Sequence, residues 1–147
     1  MGFESEETVT FLTLLKAFKA DPTDHATGED LARAADKGDR WNELMEICDA
    51  WLIEAALPRS ARLSLMLTMG KWYADLDRPG LAIVYFEKVL QVVPEHLGAL
   101  ESIAAVLEEV QEFNALEKIR ERIDRVRRDL EDDDEAEDEA DVDERLG

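Results

Sequence analysis

Residues 66–94 read MLTMGKWYADLDRPGLAIVYFEKVLQVVP, and this stretch decides the fold. Met66, Met69, Gly70 and Tyr73 follow one another at intervals of three, one and three, which places them on one face of a helix. Asp77-Arg78-Pro79-Gly80 then carries four residues that favour turns over helix interiors. Beyond it Leu81, Ala82, Tyr85, Phe86, Val89 and Leu90 resume the helical period until Pro94 stops it. The segment is a complete helix–turn–helix unit, with helices over 61–76 and 81–92.

The same alternation extends in both directions. Phe11, Leu12, Leu14, Leu15 and Phe18 make an apolar face that ends at Asp21-Pro22. A second helix spans Leu31 to Ala35 and breaks at Lys37-Gly38-Asp39. A third covers Trp41 to Ala56, with Trp41, Leu44, Ile47, Cys48, Trp51 and Leu52 facing inward. Leu97 to Val110 and Ala115 to Leu130 complete a set of seven. Connections of a few residues require consecutive helices to pack antiparallel. Pro22 and Pro94 lie 72 residues apart, each followed by an acid, a histidine and a helix, so the chain reads as a repeat.

The unit at the centre resembles the tetratricopeptide repeat, a 34-residue helical hairpin with the pattern W-x2-L-G-x2-Y, then A-x3-F, then P. Met66-x2-Met69-Gly70-x2-Tyr73 is followed here by Ala82-x3-Phe86 and Pro94. Moving the frame forward by 34 gives Leu100-x2-Ile103-Ala104-x2-Leu107 and Leu116, with Arg120 and Arg128 in the aromatic and proline slots. Moving it backward requires four extra residues near Leu57 to Ser60. It then gives Gly28-x2-Leu31-Ala32-x2-Ala35 and Leu44-x3-Cys48. The resemblance implies an all-α, right-handed superhelix of about three antiparallel hairpins, at about 25–58, 63–96 and 97–130. Residues 11 to about 22 would be a preceding half-repeat and 1–10 a flexible terminus.

Packing physics agrees with that frame. Gly70, Ala32, Ala104 and Ala82 fall where two helices of a hairpin approach most closely. Tyr73, Phe86, Val89, Trp51 and Ile123 are large enough to fill the space between hairpins, each burial contributing about 1.5–3 kcal/mol.

In this family the first helix of each hairpin lines a concave groove for a partner peptide or helix. The frame assigns to that groove Ala26, Glu29, Arg33 and Asp36, then Ser64, Leu67, Lys71 and Ala74, then Gly98, Glu101, Ala105 and Glu108. Arg33 and Lys71 occupy equivalent slots, so a cation pair flanked by Leu67 is expected to hold a carboxylate. The Lys, Asn and Arg clamp that grips chaperone C-termini has no counterpart, because Glu29, Thr68 and Glu101 stand in its slots.

Charge narrows the classes of partner. The 147 residues carry net −19, of which eleven acids and Arg145 between Glu131 and Gly147 account for −10. The other 130 residues hold 16 bases against 25 acids, net −9. Such a body repels nucleic-acid backbones and anionic lipid. The acidic run 131–147 has too few apolar residues to fold and is expected to be a disordered tail. Helix 115–130 interleaves Lys118, Arg120, Arg122, Arg125, Arg127 and Arg128 with four acids and is expected to cap the array.

Cys48 stands alone, so no intramolecular disulfide forms, and its apolar neighbours predict an inert buried thiol. His25 and His96 lack the spacing of a metal site, and no phosphate loop, dinucleotide fingerprint or nucleophile elbow occurs. No catalytic residue, cofactor or metal is expected. The acidic N-terminus lacks signal-peptide zones, and no apolar run reaches the length of a bilayer span, so a cytoplasmic location is expected. The reading that follows is a protein-interaction scaffold. Two alternatives are a small acidic secretion-type chaperone holding one client, and a structural protein self-associating through the Phe11–Phe18 helix.

Overall fold

The computed structural model describes residues 5–54 and 56–146, with side chains in the last helix as far as Asp132. Seven helices run α1 (Glu6–Ala20), α2 (His25–Gly38), α3 (Trp41–Ile53), α4 (Arg59–Asp75), α5 (Pro79–Val92), α6 (Leu97–Glu109) and α7 (Phe113–Leu146). No strand occurs among the described residues, so the chain is all-α as expected. The chain divides into two compact units, residues 1–85 and 86–147.

Helix starts follow local chemistry. Ser5 caps α1 by accepting from the Thr8 amide at 3.1 Å, and Glu6 and Glu7 complement the positive end of the helix dipole. That cap starts the helix earlier than its first aromatic residue, so residues 6–10 belong to α1 rather than to a flexible terminus; 1–4 lie outside the described residues. Asp24 caps α2 through the Thr27 amide at 3.2 Å, and its carboxyl is held below the usual range by that backbone hydrogen bond. Pro79 opens α5, where its missing N–H costs nothing. His96 caps α6, its Nδ1 accepting from the Ala99 amide at 3.1 Å.

Helix ends repeat one device three times. Asp39, Asp77 and Gln111 have φ of 54°, 59° and 62°, the left-handed region. At each, the following residue's amide reaches back five residues, Arg40 to Ala35, Arg78 to Tyr73 and Glu112 to Leu107, at 2.8, 2.9 and 2.9 Å. These are Schellman closures, which satisfy carbonyls that a helix end leaves unpaired. Glycine favours the left-handed position, yet here Gly38 ends α2 just before it and Gly80 lies in the first turn of α5. The turn signal therefore located the break, while its key conformation falls on Asp and Gln.

In the first unit α1 packs on α2, α2 on α3 and α3 on α4. Its core is strongly aromatic. Phe18 is fully buried, with its ring centroid 6.4 Å from that of Trp51 and 5.7 Å from that of Trp72. Trp41 meets Trp72 edge-on at 5.8 Å. Phe11 is also fully buried, with the Arg40 guanidinium 5.3 Å from its ring. Leu14 and Leu15 are half-buried. Leu12 is exposed, but the rest of the apolar face of α1 is turned inward, and the aromatic residues that suggested a self-association handle are part of the core.

The second unit holds the latter part of α5 with α6 and α7. Phe86, Val89, Leu100, Ile103, Val106, Leu116, Ile123 and Val126 are buried. α6 and α7 pack together, and Arg127 and Arg120 of α7 reach Glu101 and Glu108 of α6 at 2.6 and 3.9 Å. Glu131 and Asp132 continue α7. From residue 133 onward the expected disordered tail falls outside the residues whose side chains are described. Among the described residues no helix is long and apolar enough to cross a membrane.

Candidate functional site

A cleft of about 260 Å³ lies between α2 and α4 in the first unit. α2 contributes His25, Gly28 and Glu29, and α4 contributes Thr68, Lys71, Trp72 and Asp75. Both sets follow the i, i+3, i+4 rule, so each is a single stripe on its helix. Gly28 gives the cleft its floor. A Cβ added there would lie 3.2 Å from the Phe18 ring and 3.8 Å from the Thr68 methyl, so the bare backbone is what admits α1 and α4 on either side.

Trp72 forms a wall whose ring packs against Phe18 and Trp41. Lys71 stands exposed at the rim between Glu29 and Asp75. The cleft combines an aromatic wall, a hydroxyl and charges of both signs. That lining offers a small apolar surface beside a polar, charged rim.

The six residues expected to line a groove divide by this geometry. Glu29 and Lys71 are brought together in the cleft. Leu67 is half-buried on α4, outside the lining. Arg33 is exposed and forms an ion pair with Asp30 on its own helix, so the expected Arg33–Lys71 cation pair does not form the cleft's charge. Glu101 and Glu108 belong to the second unit, where Arg127 and Arg120 engage them. The sequence frame placed Thr68 in a clamp slot but did not assign Trp72, Asp75 or His25 to the groove. Its slots take one residue per turn, 26, 29, 33 and 36 on α2 and 64, 67, 71 and 74 on α4, whereas the cleft is lined by a stripe rotated slightly from them, 25, 28 and 29 on α2 and 68, 71, 72 and 75 on α4.

Apart from the α2 cap Asp24, the shifted titrations lie around Asp49. Tyr85 donates a hydrogen bond to its carboxylate, and the Tyr85 and Tyr73 rings stack at 5.3 Å. Burial and then that bond raise the Tyr85 phenol above its ordinary value. Burial, followed by the Asp49 charge, raises Tyr73. The same two causes push the Cys48 thiol up to about 12, so the buried sulfur is protonated at neutral pH. Among the described residues no group of three His, Cys, Asp or Glu side chains is placed to hold a metal ion.

No protein-family model matches this chain, and no curated protein matches it.

Proposed function

We propose that this protein is a tetratricopeptide-type interaction module that binds an amphipathic peptide segment of a protein partner in the cleft between α2 and α4. The observation that carries the reading is the cleft itself, which joins Glu29 and Lys71, from the first helices of successive hairpins in the repeat frame, against the wall of Trp72. The periodic helix closures support the frame. Residues 39, 77 and 111 stand 38 and 34 apart, matching a 34-residue unit with four extra residues in the first interval. On this reading the helices compose about three hairpins, 25–58, 63–96 and 97–130, after an N-terminal half-repeat, and wind as a right-handed superhelix. The acidic run 131–147 would stand outside the repeats, in a cytoplasmic protein without catalytic activity.

Affinity capture with the full chain tests the proposal. Thr68→Arg places a long side chain in the cleft from a half-buried position, and Glu109→Gln changes an exposed carboxylate of α6 as a control. A discrete protein held by the wild type and by Glu109→Gln, and released by Thr68→Arg, is the expected result. Identical capture by all three sinks the reading.

A further inference from the structure

We infer that the first unit carries a second binding site, a cavity that takes the arginine or lysine side chain of a partner polypeptide. The cavity has a volume of about 480 Å³, within the range of about 300–1,000 Å³ typical of ligand sites. It lies where the α2–α3 turn, the first three turns of α3, the end of α4 and the α4–α5 turn converge. Trp72 and Tyr73 are adjacent on α4 and so project about 100° apart. Trp72 faces the cleft described above, and Tyr73 faces this cavity.

The lining selects for a cation. Asp39, Glu46 and Asp49 oppose the single guanidinium of Arg78, which leaves a net charge of −2. The Asp49 carboxylate accepts from Tyr85. Among the described residues, the side chains of Asp39 and Glu46 have no hydrogen bond or ion pair. A bound anion would face three carboxylates, and a neutral ligand would desolvate two of them without replacing their water. A guanidinium or ammonium satisfies both.

Two aromatic residues add a recognition element that a loose group of acids lacks. The Trp41 indole is held by its own N–H, which donates to Asp36 at 3.3 Å, and by its edge contact with Trp72. Tyr73 is held by its stack on Tyr85. Rings fixed in advance at a cavity wall lose no side-chain entropy when a ligand arrives. The aliphatic stem of a lysine or arginine lies against the same apolar surface. Asp39 is held at the rim by the left-handed turn that closes α2.

The test uses the full chain labelled with 15N and the probe acetyl-Gly-Arg-Gly-amide, with the citrulline peptide as its neutral counterpart. The Trp41 indole N–H reports on the cavity, while Trp51 and Trp72 report on the fold and on the neighbouring cleft. The expected result is a saturable shift of the Trp41 resonance with the arginine peptide and none with citrulline. Glu46→Gln, an exposed position, should weaken the arginine response, and Asp39→Asn with Glu46→Gln should weaken it at least about tenfold, the loss of two charge-assisted contacts. Thr68→Arg should leave it unchanged, which separates this site from the cleft. A Trp41 resonance that ignores the arginine peptide, or moves equally with citrulline or in Glu46→Gln, overturns the inference.

Discussion

Tyr85, in the first half of α5, donates its phenol hydrogen to Asp49 near the middle of α3, across 36 residues of chain. The bond ties two helices, α3 and α5, that the sequence separates by the whole of α4. Removing it with Tyr85→Phe leaves the half-buried Asp49 carboxylate without that donor. The expected cost is about 1 kcal/mol, toward the lower end for a stranded acceptor because Asp49 keeps some water. Urea unfolding of the two proteins measures it. The phenol is raised in the folded state, so its neutral form is the stabilising one. That contribution is complete below the ordinary phenol value of about 10, and declines as pH climbs toward the folded value. The wild type should therefore lose more stability than Tyr85→Phe between neutral and strongly alkaline pH.

Gln111 holds a left-handed conformation at φ 62°. Asp is tolerated there better than Gln, because its short polar side chain bonds locally, and glycine is tolerated best. Gln111→Gly should stabilise the protein by about 0.5–1 kcal/mol, the relief of strain offset in part by the entropy of a freer unfolded chain. Asp77→Gly should gain less. An unchanged or lowered urea midpoint for Gln111→Gly would contradict the strained-turn assignment.

Two glycines should respond to alanine with opposite signs. At Gly80 a Cβ meets nothing within 4 Å, so Gly80→Ala in the first turn of α5 should stabilise by about 0.5–1 kcal/mol. At Gly28 the new Cβ lies 3.2 Å from a Phe18 ring that is fully buried between Trp51 and Trp72. That ring has little room to yield, and overpacking of this kind costs about 1–3 kcal/mol. Gly28→Ala should lower thermal stability while Gly80→Ala raises it.

Cys48 is fully buried, with its thiol pushed up to about 12 by burial and the Asp49 charge. At pH 8 its thiolate is rarer than that of an ordinary cysteine by about three orders of magnitude. Iodoacetamide should alkylate the native protein at least about a thousandfold more slowly than the unfolded one, followed by mass spectrometry. Rapid labelling without denaturant would show that the α3 core opens readily.

The legibility of the chain followed the range of the forces involved. Helix positions were readable because 3.6-residue periodicity and turn residues act over a few neighbours. Gly70, Tyr73 and the Asp77–Gly80 break located α4 and α5 this way. The seven helices, the inert core position of Cys48 and the inward role of Tyr73, Phe86, Val89, Trp51 and Ile123 were all apparent from such local rules. The cleft was only half legible. Glu29 and Lys71 could be assigned by counting, but Arg33 could not be excluded by counting, because its pairing with Asp30 depends on rotamer and not on slot.

What the sequence determined by itself is the all-α class and the helix–turn–helix rhythm, since backbone propensity and apolar spacing are properties of short windows. Tertiary structure decided which residues share a surface. It placed Trp72 in one wall and Tyr73 in another, turned Phe11 and Phe18 inward, and joined Asp49 to Tyr85. Each of these depends on the approach of helices distant in sequence. Such approaches are set by the packing of whole side-chain volumes, which no local pattern specifies.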